Sequence, residues 1–162
     1  MKTLLIIRHA KSDTTFWGND FERPLNERGK KDAPVMATRI KDRNIYIDVF
    51  ISSPAKRAKK TAELFYEELG TDKHGINFIS ALYHATKEIF YDVVAGINDT
   101  FNTAALFSHN PGISNFVNEL IETIHIDNMP TCAVFAVQAQ CNSWKEFKKS
   151  EKVFLFFDYP KI

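Results

Sequence analysis

The sequence predicts an α/β fold, a three-layer α/β/α sandwich with a mostly parallel central sheet. Apolar runs of strand length alternate along the chain with segments of helical periodicity, and this alternation is typical of parallel sheets covered by helices. The first run, residues 4–7, holds four consecutive aliphatic residues, as expected of a strand buried on both faces. The 162 residues are enough for one core, so we predict a single domain over 1–162.

The first half of the chain predicts a strand over 3–8, a loop over 10–26, a helix over 27–42, a strand over 46–51 and a helix over 54–69. Asn26 is suited to cap the first helix, because its side chain can accept a bond from a free backbone N–H. Pro54 is predicted at the first helical position of the second helix, and Gly70 ends that helix. The loop is long for a compact domain, which favours a functional role.

The second half predicts a strand over 76–79, a helix reaching residue 97, a strand over 102–107, a helix over 113–124, and strands over 131–138 and 152–159. Thr86 is suited to cap the first of these helices. The last two strands flank a turn-rich segment, and we predict that they pair at one edge of the sheet.

Composition excludes several classes of protein. The net charge of +1 argues against a general nucleic-acid or membrane-surface binder. The N-terminal apolar run is too short for a signal peptide, and no stretch reaches the ~20 apolar residues of a membrane span. Cys132 and Cys141 lack metal-binding spacing; free thiols are favoured over a bridge across a hairpin. A cytoplasmic protein is therefore expected. The oligomeric state does not follow from the sequence, and a monomer is the expectation.

Polar side chains that can handle a phosphate follow three of the predicted strands. Arg8 and His9 follow the first, a segment ending in Arg57 follows the second, and His109 follows the fourth. Because the carboxyl ends of parallel strands meet at one sheet edge, these side chains are expected to share one pocket. Each segment alone has an ordinary explanation, a turn or a solvated helix face. Their repeated placement at strand ends favours a common site.

The chemistry gives each side chain a role in phosphoryl transfer. Two arginines supply rigid paired donors for phosphate oxygens, and the starts of the following helices can add backbone N–H groups. A histidine with one unprotonated nitrogen can accept a phosphoryl group covalently, if a carbonyl fixes its tautomer. A second histidine, protonated, can donate to the moving oxygens. A zinc site at His9 and His109 is not expected, because the neighbouring arginines repel a cation.

Four segments resemble the motifs of the histidine phosphatase superfamily, the phosphoglycerate mutase-like proteins. They are R-H-A-K-S at 8–12, R-P-L-N-E-R-G at 23–29, S-S-P-A-K-R-A-K-K-T-A at 52–62 and S-H-N-P-G at 108–112. The small size and the wording of the first motif resemble the phosphohistidine phosphatase, or SixA-type, branch.

The resemblance implies that His9 is the nucleophile that becomes phosphohistidine. It also implies that Arg8, Arg57 and His109 bind the phosphoryl group, and that water then releases phosphate with no metal or cofactor. Ser108 stands where many members have glycine, which is expected to add a side chain near the pocket.

The proton donor is the least determined part of the predicted site. Asn110 stands where some members have an aspartate after the second histidine, so that acid is absent here. His84 is proposed as the proton donor instead. The alternative is that His84 is a loop histidine that packs beside Tyr83. Asp13, Asp20, Glu22 and Glu88 are further candidates. His74 is interpreted as a solvated turn residue, and His125 as a residue at a helix C-terminus.

The sequence thus favours a metal-independent phosphatase acting on phosphohistidine in a phosphorylated protein. The chain lacks insertions after its motifs that would build a lid over a small metabolite, which favours a pocket open to a protein side chain. The alternatives are a phosphomonoesterase or mutase acting on a small phosphorylated substrate, and a non-catalytic phosphate-binding module. A mutase would need groups for a second phosphate, and a silent module would not need the nucleophile.

Overall fold

The structure, a computed structural model, describes residues 1–70 and 74–161. Its helices are α1 Glu27–Asp42, α2 Lys56–Leu69, α3 Lys87–Ala95 and α4 Gly112–Leu120. Its strands are β1 Lys2–Arg8, β2 Val49–Ser52, β3 Ile76–Phe78, β4 Thr103–Ser108, β5 Val134–Ala139 and β6 Lys152–Asp158. Single 3₁₀ turns lie at Asp20–Glu22, Ser80–Leu82 and Trp144–Glu146.

The strands form one six-stranded sheet in the order β3-β2-β4-β1-β5-β6. Strands β1 to β4 pair in parallel, whereas β5 and β6 run antiparallel at one side. The predicted mostly parallel sheet and the pairing of the last two strands are therefore confirmed.

Strand β1 lies at the centre of the core because both of its faces are covered. Leu4 and Ile6 pack into the cluster that includes side chains of α3 and α4. Leu5 and Ile7 point to the opposite face and pack into the cluster that includes α1 and α2. All four are fully buried, as the unbroken aliphatic run predicted. Helices on both faces make the predicted three-layer α/β/α sandwich.

Two element starts differ from the prediction. Strand β2 begins at Val49 rather than residue 46. The Asp48 carboxylate accepts hydrogen bonds from the backbone N–H groups of Asn102 and Thr103, and the pairing of β2 with β4 begins only after Asp48. Helix α2 begins at Lys56 with Ala55 as its N-cap, so the prediction for Pro54 is wrong.

Two further boundaries, in the second half of the chain, differ from the prediction. Helix α4 ends at Leu120, because the Asn118 side chain bonds both backbone groups of Ile126 and folds the following segment back. Strand β5 begins at Val134, because Cys132 has a φ of 62°, which interrupts an extended strand.

Both cysteines are free thiols, as predicted. Across the described ranges, no helix has the length and apolar character needed to cross a bilayer.

Candidate active site

The carboxyl ends of β1, β2 and β4 meet at one edge of the sheet and form a small pocket. Arg8 lies in register with Ser108, so the backbone N–H of His9 bonds the Ser108 carbonyl at 3.1 Å. The rings of His9 and His109 are 5.2 Å apart, centre to centre. The pocket has a volume of about 260 Å³, and its lining includes Arg8, His9, Arg23, Arg57, His109 and Asn110. The predicted convergence of Arg8, His9, Arg57 and His109 is thus observed.

The His9 ring is held with one nitrogen available. Its Nδ1 lies 2.8 Å from the carbonyl of Ala10, and only a protonated Nδ1 can donate to that oxygen, which leaves Nε2 unprotonated. Burial, first, and then the positive charges nearby place the His9 pKa well below its ordinary value. The backbone of Ala10 is fixed in turn, since its N–H donates to Thr61 Oγ1 at 2.9 Å.

The two arginines keep unused donors inside the pocket. Arg8 Nη1 donates to the Met129 carbonyl at 2.8 Å, but its Nε has no partner among the described residues and is buried. Arg57 Nε and His109 Nδ1 are buried and unpartnered in the same way. Buried donors without partners are costly. An oxyanion accepts such donors, so their clustering indicates an anion site.

His109 is neutral in the pocket. Burial, followed by the charge of Arg57, lowers the pKa of His109 to about 3. A neutral ring therefore takes the place of the protonated ring that the sequence predicted. Its Nε2 lies 2.7 Å from Ser53 Oγ. When that hydroxyl donates to Nε2, the proton of the neutral ring resides on Nδ1, the unpartnered nitrogen, which can then donate to a bound oxygen.

Asp20, from the long loop after β1, lies against the pocket. Its carboxylate accepts from Arg57 Nη2 at 3.0 Å and from the Tyr83 hydroxyl at 2.7 Å, and its other oxygen accepts from Arg23 Nη2 at 2.9 Å. The bond from Tyr83, with further contributions from both arginines, holds the Asp20 pKa far below its usual range. Asp20 is therefore an anion that has no proton to donate.

His84 lies beside the pocket rather than inside it. Its ring centre is 3.9 Å from that of Tyr83, the contact that the alternative interpretation predicted. His84 also lines a larger cleft of about 640 Å³, which shares His109 and Asn110 with the smaller pocket. A leaving group bound in that cleft would lie near His84. The role of His84 as proton donor is therefore compatible with this geometry and stays a prediction.

The other carboxylates named from the sequence lie outside the pocket. Asp13 is bonded to Thr15 in the exposed part of the loop. Glu22 is exposed, and Glu88 lines the larger cleft.

Ser108 and Asn110 support the site instead of acting in it. Ser108 is fully buried and donates to the Leu82 carbonyl at 2.7 Å, so its side chain lies near the pocket, as expected, but does not line it. Asn110 donates to the Met129 carbonyl at 3.1 Å and accepts from Ser114. An aspartate at this position would have no N–H to donate.

Gly112 allows helix α4 to start close to the loop that carries His84. A Cβ at Gly112 would collide with the carbonyl oxygen of Ala85. Only glycine permits this approach, which brings the loop after β3 against the end of β4.

The remaining histidines are placed by the structure as follows. His74 is exposed and its ring contacts Phe101, with centres 5.5 Å apart. His125 lies beyond the end of α4, pairs with Asp127 at 2.9 Å and lines the larger cleft. The interpretation of His125 as a helix C-terminal residue is wrong, because α4 ends five residues earlier at Leu120.

No group of three His, Cys, Asp or Glu side chains within residues 1–70 and 74–161 is arranged to hold a metal ion.

Comparison with known proteins agrees with the motifs. The model of the histidine phosphatase superfamily, branch 1, matches residues 4–80. This stretch contains the first three motifs, and the match confirms the resemblance to this superfamily. A search of curated proteins with this sequence finds no significant match.

Solved structures share the fold over almost the full chain. A putative phosphohistidine phosphatase SixA from Agrobacterium tumefaciens has a TM-score of 0.83 at 23% identity, covering 99% of both chains. The protein histidine phosphatase SixA complexed with tungstate has a TM-score of 0.81 at 20% identity, covering 97% of this chain and 96% of the other. A mycobacterial glucosyl-3-phosphoglycerate phosphatase has a TM-score of 0.68 at 13% identity, covering 95% and 97%. The family match supports a hydrolase, and these structures show the shared fold.

The sequence reasoning missed residues that hold the pocket in place. The Ser53 hydroxyl contacts His109. Thr61 positions the backbone after His9, and Arg23 lines the pocket and contacts Ser12. All three lie inside the quoted motifs, which was the available signal.

Proposed function

We propose that this chain, as one domain over 1–162, is a phosphatase that works through a covalent phosphohistidine on His9 and acts on protein phosphohistidine. In the first step His9 Nε2 attacks phosphorus, a new N–P bond forms, and the N–P bond to the substrate imidazole breaks. The leaving nitrogen takes up a proton. In the second step water attacks the same phosphorus, the bond to Nε2 breaks, and inorganic phosphate leaves.

The tautomer of His9 carries the proposal. The bond of Nδ1 to the Ala10 carbonyl leaves the Nε2 lone pair available for attack. The depressed pKa of His9 keeps the ring neutral at neutral pH, so no proton must first be lost. A buried nucleophile fixed by its neighbours is prepared for reaction without reorganisation.

The charge of the phosphoryl group is met by donors already present. Arg8 and Arg57 are cations at neutral pH, and His109 can donate from Nδ1. Phosphoryl transfer depends mainly on positioning and on stabilising the charge of the equatorial oxygens. The proposal needs no metal because the two cations and the His109 donor stabilise that charge. We further propose a cytoplasmic monomer.

A protein substrate is supported by the openness of the site. The pocket of about 260 Å³ opens beside the cleft of about 640 Å³, which leaves space for a leaving group carried on a larger molecule. The SixA structures also match this chain more closely than the metabolite phosphatase does.

The test measures phosphate release without added metal from three substrates: a phosphohistidine-carrying protein, p-nitrophenyl phosphate and glucosyl-3-phosphoglycerate. We expect kcat/KM to be highest for the phosphohistidine protein. A higher kcat/KM for the sugar phosphate would assign the chain to the metabolite phosphatases instead. No release from any substrate would favour the non-catalytic module.

Substitution of His84 by glutamine is expected to affect substrates according to their leaving groups. An alkoxide needs a proton as it departs, whereas an imidazole or p-nitrophenolate leaves with little help, and acid catalysis gains more where the leaving group is poor. We expect kcat for an alkyl phosphate to fall about 100-fold, and kcat for p-nitrophenyl phosphate to stay unchanged. If H84Q hydrolyses each substrate as fast as the parent does, His84 is not a proton donor and only packs against Tyr83.

A further inference from the structure

A groove lined by lysines lies next to the phosphate pocket. Its rim includes Lys30, Lys56, Lys59 and Lys60, and its apolar floor includes Phe21 and Pro24, around a volume of about 580 Å³. We call this cavity the lysine groove. Two carboxylates, Glu22 and Glu63, also line it, so cations outnumber anions there although the whole chain is nearly neutral.

Three of these lysines are exposed and unneutralised. Lys56, Lys59 and Lys60 lie on one face of α2, since they are spaced by three and four residues. All three are exposed, and within the described ranges none forms an ion pair. Lys59 contacts only an exposed ring, with its Nζ 5.5 Å from the centre of Phe78.

The position of these charges is unfavourable for the helix itself. The N-terminus of a helix carries a partial positive charge, so cations there destabilise it and anions stabilise it. The first turn of α2 contains no acidic residue, its last turn contains no basic residue, and its N-cap makes no side-chain bond. The dipole of α2 therefore does not favour lysines at this end, whereas an anionic group bound there would be stabilised.

The lysine groove and the phosphate pocket share structural elements. Helix α2 carries Arg57 on its buried face, one residue after Lys56. The turn Asp20–Glu22 contacts Arg57 through Asp20 and lines the groove through Phe21. The Phe21 ring packs edge-on against Tyr83, with centres 5.1 Å apart.

We propose that the lysine groove binds an acidic segment of the phosphorylated protein whose phosphohistidine enters the pocket; this inference rests on the proposed function. The groove and the pocket are separate cavities that share no lining residue. A small phosphorylated molecule in the pocket leaves the groove empty, whereas a protein covers both. The apolar floor with a lysine rim fits a protein segment that presents apolar and acidic side chains together.

The test replaces three charges in the lysine groove and compares two substrates with the same scissile bond. The variant is K56Q/K59Q/K60Q, and the substrates are free phosphohistidine and an acidic protein phosphorylated on histidine. The matched control is K145Q/K148Q/K149Q, which removes three exposed lysines around the turn Trp144–Glu146. That turn bonds Asp99 and Phe101 near the start of β4, at the edge of the sheet opposite the pocket.

Charges at the rim of an interface act mainly on association and its salt dependence. We expect kcat/KM for the protein to fall about tenfold in the groove variant through a higher KM. Its salt dependence should weaken, and kcat/KM for free phosphohistidine should match the parent. Unchanged kcat/KM for the protein, or an equal loss in the control variant, would overturn the inference.

The same data separate this inference from the proposed function. If the parent hydrolyses neither phosphohistidine substrate, the proposed function fails and the groove inference fails with it. If the parent hydrolyses both and the groove variant behaves as the parent does, only the groove inference fails.

Discussion

Replacing His9 by alanine is expected to lower kcat for phosphate release by about 10⁴-fold or more, since loss of a catalytic nucleophile has effects of this size. The reason lies in the geometry of the ring. In the pocket, His9 combines burial, a tautomer fixed by the Ala10 carbonyl and an unprotonated Nε2. His109 cannot take over the attack by the same route, because its Nε2 is occupied by Ser53.

The measurement should follow both the rate and the covalent intermediate. Parent protein mixed briefly with a radiolabelled phosphohistidine substrate and quenched in alkali is expected to carry label, because phosphohistidine survives alkali and is lost in acid. H9A should carry none. H74Q serves as the control, since His74 is exposed and its ring contacts Phe101 before the start of β4, and it should be labelled like the parent. Label on H9A at the parent's level would contradict the nucleophile assignment.

The placement of the pocket residues followed from sequence because it depends on simple features. Four aliphatic residues identified β1 as a buried strand, and parallel pairing requires that Arg8 and His9 lie beside the ends of neighbouring strands. To place Arg57 in the pocket, the prediction then required only that a helix begin within a few residues of the end of β2. An error of two residues at that start did not move Arg57 out of the pocket.

The contacts of Asp20 did not follow from sequence, because they depend on the path of the loop over 10–26. Asp20 was one of several acidic candidates, and nothing in its spacing indicates that it turns back to Arg57 and Tyr83. The protonation state of His109 was predicted wrongly for a related reason. It depends on burial and on the distance to Arg57, and neither quantity is visible before the chain is folded.

Replacing Asp20 by asparagine is expected to tighten the binding of oxyanions. Both terminal nitrogens of Arg57 are engaged by Asp20, Nη1 by its backbone carbonyl and Nη2 by its carboxylate. A phosphate that uses these donors must compete with that carboxylate and lie close to its negative charge. Unit charges 4 Å apart repel by about 1 kcal/mol in bulk water. A dianion beside Asp20 therefore loses about 2 kcal/mol, or about 30-fold in affinity.

The experiment compares inhibition constants of inorganic phosphate and tungstate for the parent, D20N and D13N. D13N is the matched control, because Asp13 lies in the same loop and its carboxylate bonds Thr15 rather than Arg57. We expect about 30-fold lower inhibition constants in D20N, following the repulsion removed, and parent values in D13N. Weaker inhibition in D20N would show that Asp20 orients Arg57 for the anion. The expected result would instead show that the Asp20 carboxylate and the bound anion compete for Arg57.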